Sequence, residues 1–289
     1  MSGHRAGFVA ILGRPNAGKS TLMNAILGEK LAIVTPKPQT TRSRILGIHT
    51  RPDAQLLFVD TPGLHASEKA FNAALNEQAL AAGDRSDAAL LLVALDEGWG
   101  EDHAAVAARL EARGKPWLAV GTKLDRRDGR EAPWPPPGVE RALRVSAVSG
   151  EGLEELIEAT AALLPESPPL YPEDDLSDRP LRFLVAELIR EAAFEELEQE
   201  LPYQLAAEVE DYDESREDLV RIAADLIVER ESQKPMAIGR GGARIKAIGT
   251  RARREIEKLV GCKVHLALRV KVEPRWTRKP ARVRALGYD

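Results

Sequence analysis

The octapeptide GRPNAGKS, residues 13–20, severely restricts the folds open to this chain. It matches the pattern G-x-x-x-x-G-K-[ST] at every fixed position, and it lies between an apolar run at 7–13 and a helix-like pattern that begins at Lys19. Glycines in such a loop allow backbone N–H groups to turn inward around phosphate groups. The pattern therefore predicts a strand, a phosphate-binding loop and a helix in direct succession.

The residue types in this loop predict separate roles in phosphate binding. Lys19 is expected to place its charge against the β- and γ-phosphates and to act in catalysis, while Ser20 offers a hydroxyl oxygen to Mg²⁺. The first turn of the following helix adds its dipole. We expect nucleotide contacts from Gly13, Arg14, Pro15, Asn16, Ala17, Gly18, Lys19, Ser20 and Thr21.

Short apolar runs alternate with helical patterns as far as about residue 164. The runs at 7–13, 56–61, 88–95 and 116–122 predict buried strands, and helix-like stretches separate them. This alternation is typical of an α/β domain with a mostly parallel sheet.

The tetrapeptide DTPG, residues 60–63, ends the second of these strands. Asp60 is expected to hold Mg²⁺, and the Gly63 N–H is expected to meet the γ-phosphate and to act in catalysis. We expect further nucleotide contacts in this stretch from Thr61, Pro62 and Leu64.

A second loop motif, QTTRS at 39–43, lies between the phosphate loop and DTPG. It supplies a threonine to Mg²⁺ and the γ-phosphate. We assign this metal-binding and catalytic role to Thr41, because it directly precedes an arginine. Thr40 remains the alternative.

Two further motifs predict which base is bound. In TKLD, residues 122–125, the carboxylate of Asp125 can accept hydrogen bonds from guanine N1 and N2, a donor pair that adenine lacks, and the Lys123 stem can lie along the base. In VSA, residues 145–147, a backbone N–H can reach guanine O6. We expect nucleotide contacts in these two motifs from Thr122, Lys123, Asp125, Ser146 and Ala147. In this order and spacing, the motifs predict a GTP-binding domain.

The second part of the chain differs in composition. Residues 165–180 hold five prolines and several acids without periodicity, which is typical of a linker. Residues 230–289 carry a net charge of +12, whereas residues 1–229 carry −16. A basic end on an acidic body favours a polyanionic partner. We predict domains at 1–166 and 181–289, joined by a linker at 167–180.

The stretch IGRGGARIKAIG, residues 238–249, contains a second glycine loop without G-K-[ST]. Read as G-x-x-G at 239–242, with a predicted order of helix–strand–strand–helix–helix–strand, it resembles a type II KH domain, whose loop clamps a single-stranded RNA backbone. Ile238, Ile245 and Ile248 would line a groove for unstacked bases. The resemblance implies RNA contacts from Ile238, Gly239, Arg240, Gly241, Gly242, Arg244, Ile245, Lys246, Arg251 and Arg254. Trp276 is either a base-stacking platform or a packed side chain.

The first 165 residues resemble the GTPase group that includes Era, TrmE and EngA, and the whole chain, including YPEDD in the linker, resembles the Era family. This resemblance implies an α/β P-loop GTPase domain with a mostly parallel sheet, followed by a smaller α+β type II KH domain. It implies a GTPase that cycles between GTP and GDP with Mg²⁺, binds 16S rRNA near its 3′ end and assists maturation of the 30S ribosomal subunit.

Two departures from relatives affect the expected chemistry. Leu64 stands where Ras-like enzymes have the glutamine that orients water, so intrinsic hydrolysis should be slow. Thr122 stands where the family usually has asparagine, and it is expected to lose that residue's contacts to the nucleotide and to the phosphate loop. Asn16 matches an asparagine that is associated in related GTPases with a bound K⁺, which implies a catalytic role for it.

The remaining expectations concern the protein's setting. A single cysteine, Cys262, excludes a disulfide framework and fits a cytoplasmic protein. Nothing in the sequence demands more than a monomer, and peripheral contact with the inner face of the cell membrane stays open. The alternative function is an RNA-binding adaptor that holds GTP as a structural ligand with negligible turnover.

Overall fold

The structure is a computed structural model that falls into two units. It describes residues 3–35, 45–60, 80–126, 133–197 and 201–288. Of these, the first unit holds 3–32 and 45–178, and the second holds 33–35 and 179–288. Within the described ranges, no helix is both long and apolar enough to cross a membrane.

The first unit is built on a six-stranded sheet with the order β2-β3-β1-β4-β5-β6. Strand β2 is antiparallel to β3, and the other neighbours are parallel. The strands are β1 (Arg5–Gly13), β2 (Ile45–Thr50), β3 (Ala54–Asp60), β4 (Ala88–Ala94), β5 (Trp117–Thr122) and β6 (Ala142–Arg144).

Strands β3 and β4 are buried along their whole length. Such continuous apolar runs belong to a sheet with both faces covered. The described helices of this unit are α1 (Lys19–Leu27), α2 (Glu101–Ala112) and α3 (Leu153–Leu163), together with helical residues 80–85. The predicted α/β domain is confirmed. The carboxyl ends of β1, β3 and β5 share one edge of the sheet, where ligands bind in such folds.

Strand β2 was not predicted from the sequence. It lies at the edge of the sheet, where Gly47 forms an isolated bridge with Ser177 and the Ile48 N–H donates to the Leu176 carbonyl at 2.9 Å. The side chain of Gln55 accepts from the backbone N–H of Leu170 at 2.7 Å. Part of the proline-rich segment therefore covers an edge strand that would otherwise expose its backbone.

The second unit has a three-stranded sheet with β8 in the centre. Strand β8 (Leu219–Val228) is antiparallel to β7 (Ala206–Arg216) and parallel to β9 (Lys263–Val272). Helices α4 (Leu181–Glu196), α5 (Gln233–Ile238) and α6 (Ala243–Val260) accompany it. Apolar residues of α4, α6 and β8 form one core. The predicted α+β domain, with two helices flanking the second glycine loop, is confirmed.

A short C-terminal helix, α7 (Pro280–Ala285), was not predicted. Trp276, Leu286 and Tyr288 pack against Ala206 and Ile227 on the sheet. The Trp276 side chain is 2% exposed, and its indole N–H donates to the Gln204 carbonyl at 3.3 Å. Of the two alternatives for this tryptophan, the structure supports the packed side chain, so it is not a platform for bases.

Candidate functional site

The phosphate loop connects β1 to α1 through three residues with positive φ. These are Gly13 (149°), Asn16 (61°) and Gly18 (92°). A Cβ at Gly13 would lie 2.7 Å from the Leu92 carbonyl oxygen, so only glycine fits there. Asparagine tolerates the left-handed region, and Asn16 is exposed at the turn. The loop backbone thus has the curved form that anion binding needs.

Lys19 is buried inside this loop. Its ammonium donates to the carbonyl oxygens of Gly13 at 3.0 Å and Arg14 at 2.7 Å. Burial lowers the pKa of Lys19 to about 8, while the nearby charge of Asp60 opposes that shift. A cation held in a dry loop interacts strongly with an anionic ligand, because little water screens it.

Ser20 and Asp60 bring two oxygen ligands together beside Lys19. The Ser20 hydroxyl donates to Asp60 Oδ2 at 2.7 Å, and Asp60 is fully buried at the end of β3. A hydroxyl and a carboxylate oxygen at a phosphate loop fit Mg²⁺, a hard cation that prefers oxygen. Among the described residues, no group of three or more His, Cys, Asp or Glu could hold a metal.

Several predicted site residues lie outside the described residues. They are Thr40, Thr41, Thr61, Pro62, Gly63 and Leu64.

The Thr122 hydroxyl reaches the phosphate loop at the end of β5. It donates to the Ala17 carbonyl at 2.7 Å, with the Val93 carbonyl at 3.3 Å. The amide contacts of asparagine are absent, as expected, but the Thr122 hydroxyl makes a contact with the loop that the sequence analysis did not predict. Like the side-chain amide of asparagine, the threonine hydroxyl can donate a hydrogen bond. One such bond is enough to connect the end of β5 to the phosphate loop.

Asp125 is held by a neighbouring serine. The Ser146 hydroxyl donates to Asp125 Oδ1 at 2.7 Å and accepts from the backbone N–H groups of Val148 at 3.3 Å and Ser149 at 3.0 Å. The Ser146 side chain is fully buried, so its orientation is fixed. This arrangement aims the carboxylate, a role for Ser146 that the motif alone did not predict.

The backbone donor for guanine O6 can be narrowed to one residue. The Ser146 N–H already donates to the Glu151 carbonyl at 2.9 Å. Within the described part of the chain, the Ala147 N–H donates to no backbone carbonyl. Of the two predicted residues, Ala147 is thus the one with a donor to offer.

An ion-pair network flanks the mouth of this site. Arg14 forms a two-point contact with Asp102 on α2, at 2.8 Å and 2.6 Å, and this raises the pKa of Arg14 and lowers that of Asp102. The Lys123 ammonium lies 3.3 Å from Asp96. The Arg14 guanidinium is therefore paired with an acidic residue of α2. Asp102 lies 88 residues from Arg14, so no local motif could have predicted the pair.

The second glycine loop, in the other unit, connects α5 to α6. Gly239, Gly241 and Gly242 all have positive φ, between 58° and 79°. A Cβ at Gly239 would lie 2.9 Å from Arg244 atoms, whereas nothing lies within 4 Å of a Cβ at Gly241 or Gly242. Gly239 is thus needed for packing, while Gly241 and Gly242 leave their backbone open to a ligand.

The predicted cations around this loop are not equivalent. Arg240, Lys246 and Arg254 are exposed. Arg244 donates to the Met236 carbonyl at 3.2 Å, and Arg251 pairs with Glu195 on α4. Arg240, Lys246 and Arg254 are therefore the cations best able to meet a phosphate backbone.

The apolar lining differs from expectation at one position. Ile238 and Ile245 are half-buried, but Ile248 is 0% exposed in the core, so its predicted place in a groove is wrong. Ile248 lies on the same helix face as Ala252 and Ile256, which are also fully buried. Met236, 43% exposed on α5, is an apolar neighbour of the loop that the sequence analysis missed.

Comparisons with known proteins match a family to a part of each unit. The family described as 50S ribosome-binding GTPase matches residues 8–123, and the KH domain family matches residues 200–277. The GTPase Era of Lacticaseibacillus paracasei is 43% identical over 100% of this chain and 98% of its own length.

Two solved structures match nearly the whole chain. Era in complex with MgGDPNP and nucleotides 1506–1542 of 16S ribosomal RNA is 36% identical, with a TM-score of 0.86 over 99% of both chains. A variant of Aquifex aeolicus Era bound to GDP·AlF4⁻ is also 36% identical, with a TM-score of 0.85 over 98% of this chain and 99% of that one.

Proposed function

Because the chain belongs to the Era family of GTPases, we propose that it is a GTP-hydrolysing switch that binds 16S rRNA near its 3′ end and assists assembly of the 30S ribosomal subunit. One observation carries the proposal: a single chain holds a phosphate loop with an oriented base-reading carboxylate, and a separate glycine loop whose backbone is open. The related Era structure holds MgGDPNP and a 16S rRNA fragment.

On the nucleotide side, the phosphate loop N–H groups and Lys19 would hold the β- and γ-phosphates. Ser20 and Asp60 would hold Mg²⁺, which supplies positive charge against the phosphates when bound. Asp125 would accept from guanine N1 and N2, and the Ala147 N–H would donate to O6. Thr41 stays our prediction for a further Mg²⁺ ligand, and Gly63 for a γ-phosphate donor.

Hydrolysis would be slow without a partner, because Leu64 has no polar group to orient water. Catalysis would rest on Lys19, on backbone N–H groups and on the charge of Mg²⁺. Asn16 would hold a K⁺ beside the loop, and its exposed position at the turn supports that role.

On the RNA side, the backbone of Gly241 and Gly242 would lie against a single strand of about four nucleotides. Arg240, Lys246 and Arg254 would meet its phosphates. Ile238 and Ile245, half-buried beside the loop, would contact unstacked bases. Nucleotide state would then set RNA affinity, as in other GTP switches.

We also propose that the protein acts as a monomer in the cytoplasm, where ribosomal subunits are assembled. Peripheral membrane contact stays a prediction without further support.

The test is GTP turnover with and without a short single-stranded RNA from the 3′ end of small-subunit rRNA. It would be run on the wild type and on Gly241→Asp, whose carboxylate should repel the RNA backbone. Gly261→Asp is the matched control, because Gly261 also has positive φ and open space around its Cβ position. It lies at the other end of α6, about 27 Å away.

We expect RNA to stimulate turnover in the wild type and in Gly261→Asp but not in Gly241→Asp. If RNA leaves the rate of GTP turnover unchanged in all three proteins, the switch mechanism is refuted. GTP binding with no turnover above background, even with RNA, would instead favour the adaptor, which Leu64 supports.

A further inference from the structure

Residues 168–177, here called the strap, are bound to strands β2 and β3 of the first unit at two points. The first point is the side chain of Gln55 on β3, which is fully buried. Its Oε1 accepts from the backbone N–H groups of Leu170 at 2.7 Å and Tyr171 at 3.0 Å. Its Nε2 donates to the Tyr171 carbonyl at 2.9 Å and to the Thr50 hydroxyl at 3.1 Å. A glutamine amide has two N–H donors and two acceptor lone pairs, so these bonds use its full capacity and fix the strap here.

The second point lies on the edge strand β2. The Ile48 N–H donates to the Leu176 carbonyl at 2.9 Å, and the Ser177 hydroxyl donates to the Leu46 carbonyl at 2.7 Å. Gly47 and Ser177 form an antiparallel bridge between these two bonds. The end of the strap is therefore paired with the first half of β2.

An aromatic side chain adds apolar contact to these hydrogen bonds. The Tyr171 ring packs against a buried cluster from β2 and β3, which consists of Leu46, Ile48, Leu57 and Val59. Separation of the strap from the sheet would expose this cluster and leave the Gln55 amide buried without partners, which is costly. We therefore expect the strap to move together with β2.

The chain connects this paired region closely to both predicted ligand sites. Strand β2 begins at Ile45, four residues after Thr41 in the 39–43 motif, and α4 of the second unit begins at Leu181, four residues after Ser177. A chain advances by at most about 3.6 Å per residue, so connections this short have little spare length. Pro180, directly before α4, restricts the second connection further because its ring fixes φ.

We propose that the strap couples the two ligand sites: a displacement of β2, set by the nucleotide at the 39–43 motif, passes through the strap and along the chain to the start of α4. The inference rests on the proposed function, because it requires a nucleotide-dependent 39–43 motif and RNA binding by the second unit. In GTP switches, the γ-phosphate and its Mg²⁺ order such a loop, and hydrolysis releases it. Under this proposal, the proline-rich segment transmits nucleotide state as well as joining the domains.

The first test lengthens the chain after the strap. The affinity of the full chain for a short single-stranded RNA from the 3′ end of small-subunit rRNA is measured by fluorescence anisotropy, with GDP and with the non-hydrolysable analogue GDPNP. The readout is the ratio of the two dissociation constants, which we expect to be at least about fivefold in the wild type. Insertion of Gly-Ser-Gly-Ser between Asp178 and Arg179 adds flexible length, so the ratio should fall to about one.

The matched control is the same insertion between Glu173 and Asp174. Both residues are exposed and lie between the two points of attachment, so the short connection from Ser177 to α4 is kept. We expect this variant to retain the wild-type ratio and both variants to bind GDP as the wild type does. A ratio that falls in both insertion variants, or in neither, would overturn the proposal.

The second test removes one contact at the second point of attachment. Ser177→Ala loses the bond to Leu46, whereas Ser167→Ala loses only a bond to the carbonyl of neighbouring Pro168 at 3.0 Å. We expect Ser177→Ala to reduce the ratio by at least about twofold, the effect of one hydrogen bond, and Ser167→Ala to keep the wild-type ratio. Equal ratios in these two variants would refute the coupling role. This pair decides the matter if circular dichroism shows that an insertion variant is not folded.

The outcomes distinguish this inference from the proposed function. A wild type that binds no RNA, or binds it equally with GDP and GDPNP, would refute the proposed switch. A wild-type ratio that persists after the insertion between Asp178 and Arg179 would refute only the inference.

Discussion

Replacement of Ser146 by alanine tests how the base is read. The Ser146 hydroxyl donates to Asp125 at 2.7 Å and is itself held by the N–H groups of Val148 and Ser149. Without it, the Asp125 carboxylate can rotate, and its two oxygens no longer face guanine N1 and N2 together. We therefore expect Ser146→Ala to weaken guanine nucleotide binding and leave the phosphate contacts intact.

The size of the effect follows from the charge and exposure of Asp125. A hydrogen bond to a charged group contributes about 1.5–3 kcal/mol. Asp125 is exposed, so water replaces part of the lost bond and the low end of that range applies. A loss of about 1.5 kcal/mol corresponds to roughly a tenfold higher dissociation constant for GDP.

Calorimetry with GDP and inosine diphosphate provides the decisive readout. Inosine lacks the N2 amino group, so the wild-type preference for GDP measures one of the two bonds to Asp125. The ratio of the dissociation constants for inosine diphosphate and GDP should therefore be smaller in Ser146→Ala than in the wild type. Ser149→Ala is the matched control, because its exposed hydroxyl lies 3.4 Å from the Glu151 N–H and its loss should cost less than about twofold. An equal loss for both nucleotides, or none, would refute the orienting role.

Three further predictions concern the phosphate loop. The pKa of Lys19 is lowered to about 8, and bound phosphates favour its protonated form, so GDP affinity measured by calorimetry should fall as pH rises from about 7 to about 9. That fall should be absent in Lys19→Met, and a flat wild-type profile would contradict the reasoning. Gly13→Ala should lower the free energy of urea unfolding by at least about 2 kcal/mol, because of its φ and its close approach to Leu92. Gly28 has open space around its Cβ position, so Gly28→Ala should lower the free energy of unfolding by only about 1 kcal/mol. Equal losses in the two variants would contradict a clash between a Cβ at position 13 and Leu92. GTP turnover should be faster in K⁺ than in Na⁺ buffer, and Asn16→Ala should abolish the difference; equal wild-type rates would refute the K⁺ role.

The local motifs were predictable from the sequence because each is contiguous and its chemistry depends on residue type. The phosphate loop needs glycines at positive φ followed by Lys19, and the structure has that geometry. The parallel strands were predictable since a strand buried on both faces must be apolar throughout. The loop at 239–242 was recognisable because only glycine allows both the positive φ and the open backbone at Gly241 and Gly242.

Contacts between distant residues were decided by packing. The pairs Thr122–Ala17 and Arg14–Asp102 join residues 105 and 88 positions apart, and nothing local in either partner specifies the other. Burial also escaped prediction: Ile248 fills the core although its motif suggested a groove. A motif states which chemical groups a chain can present. Which of them stay available to a ligand depends on the donors and acceptors that folding brings against them, because each polar group can satisfy only a few partners.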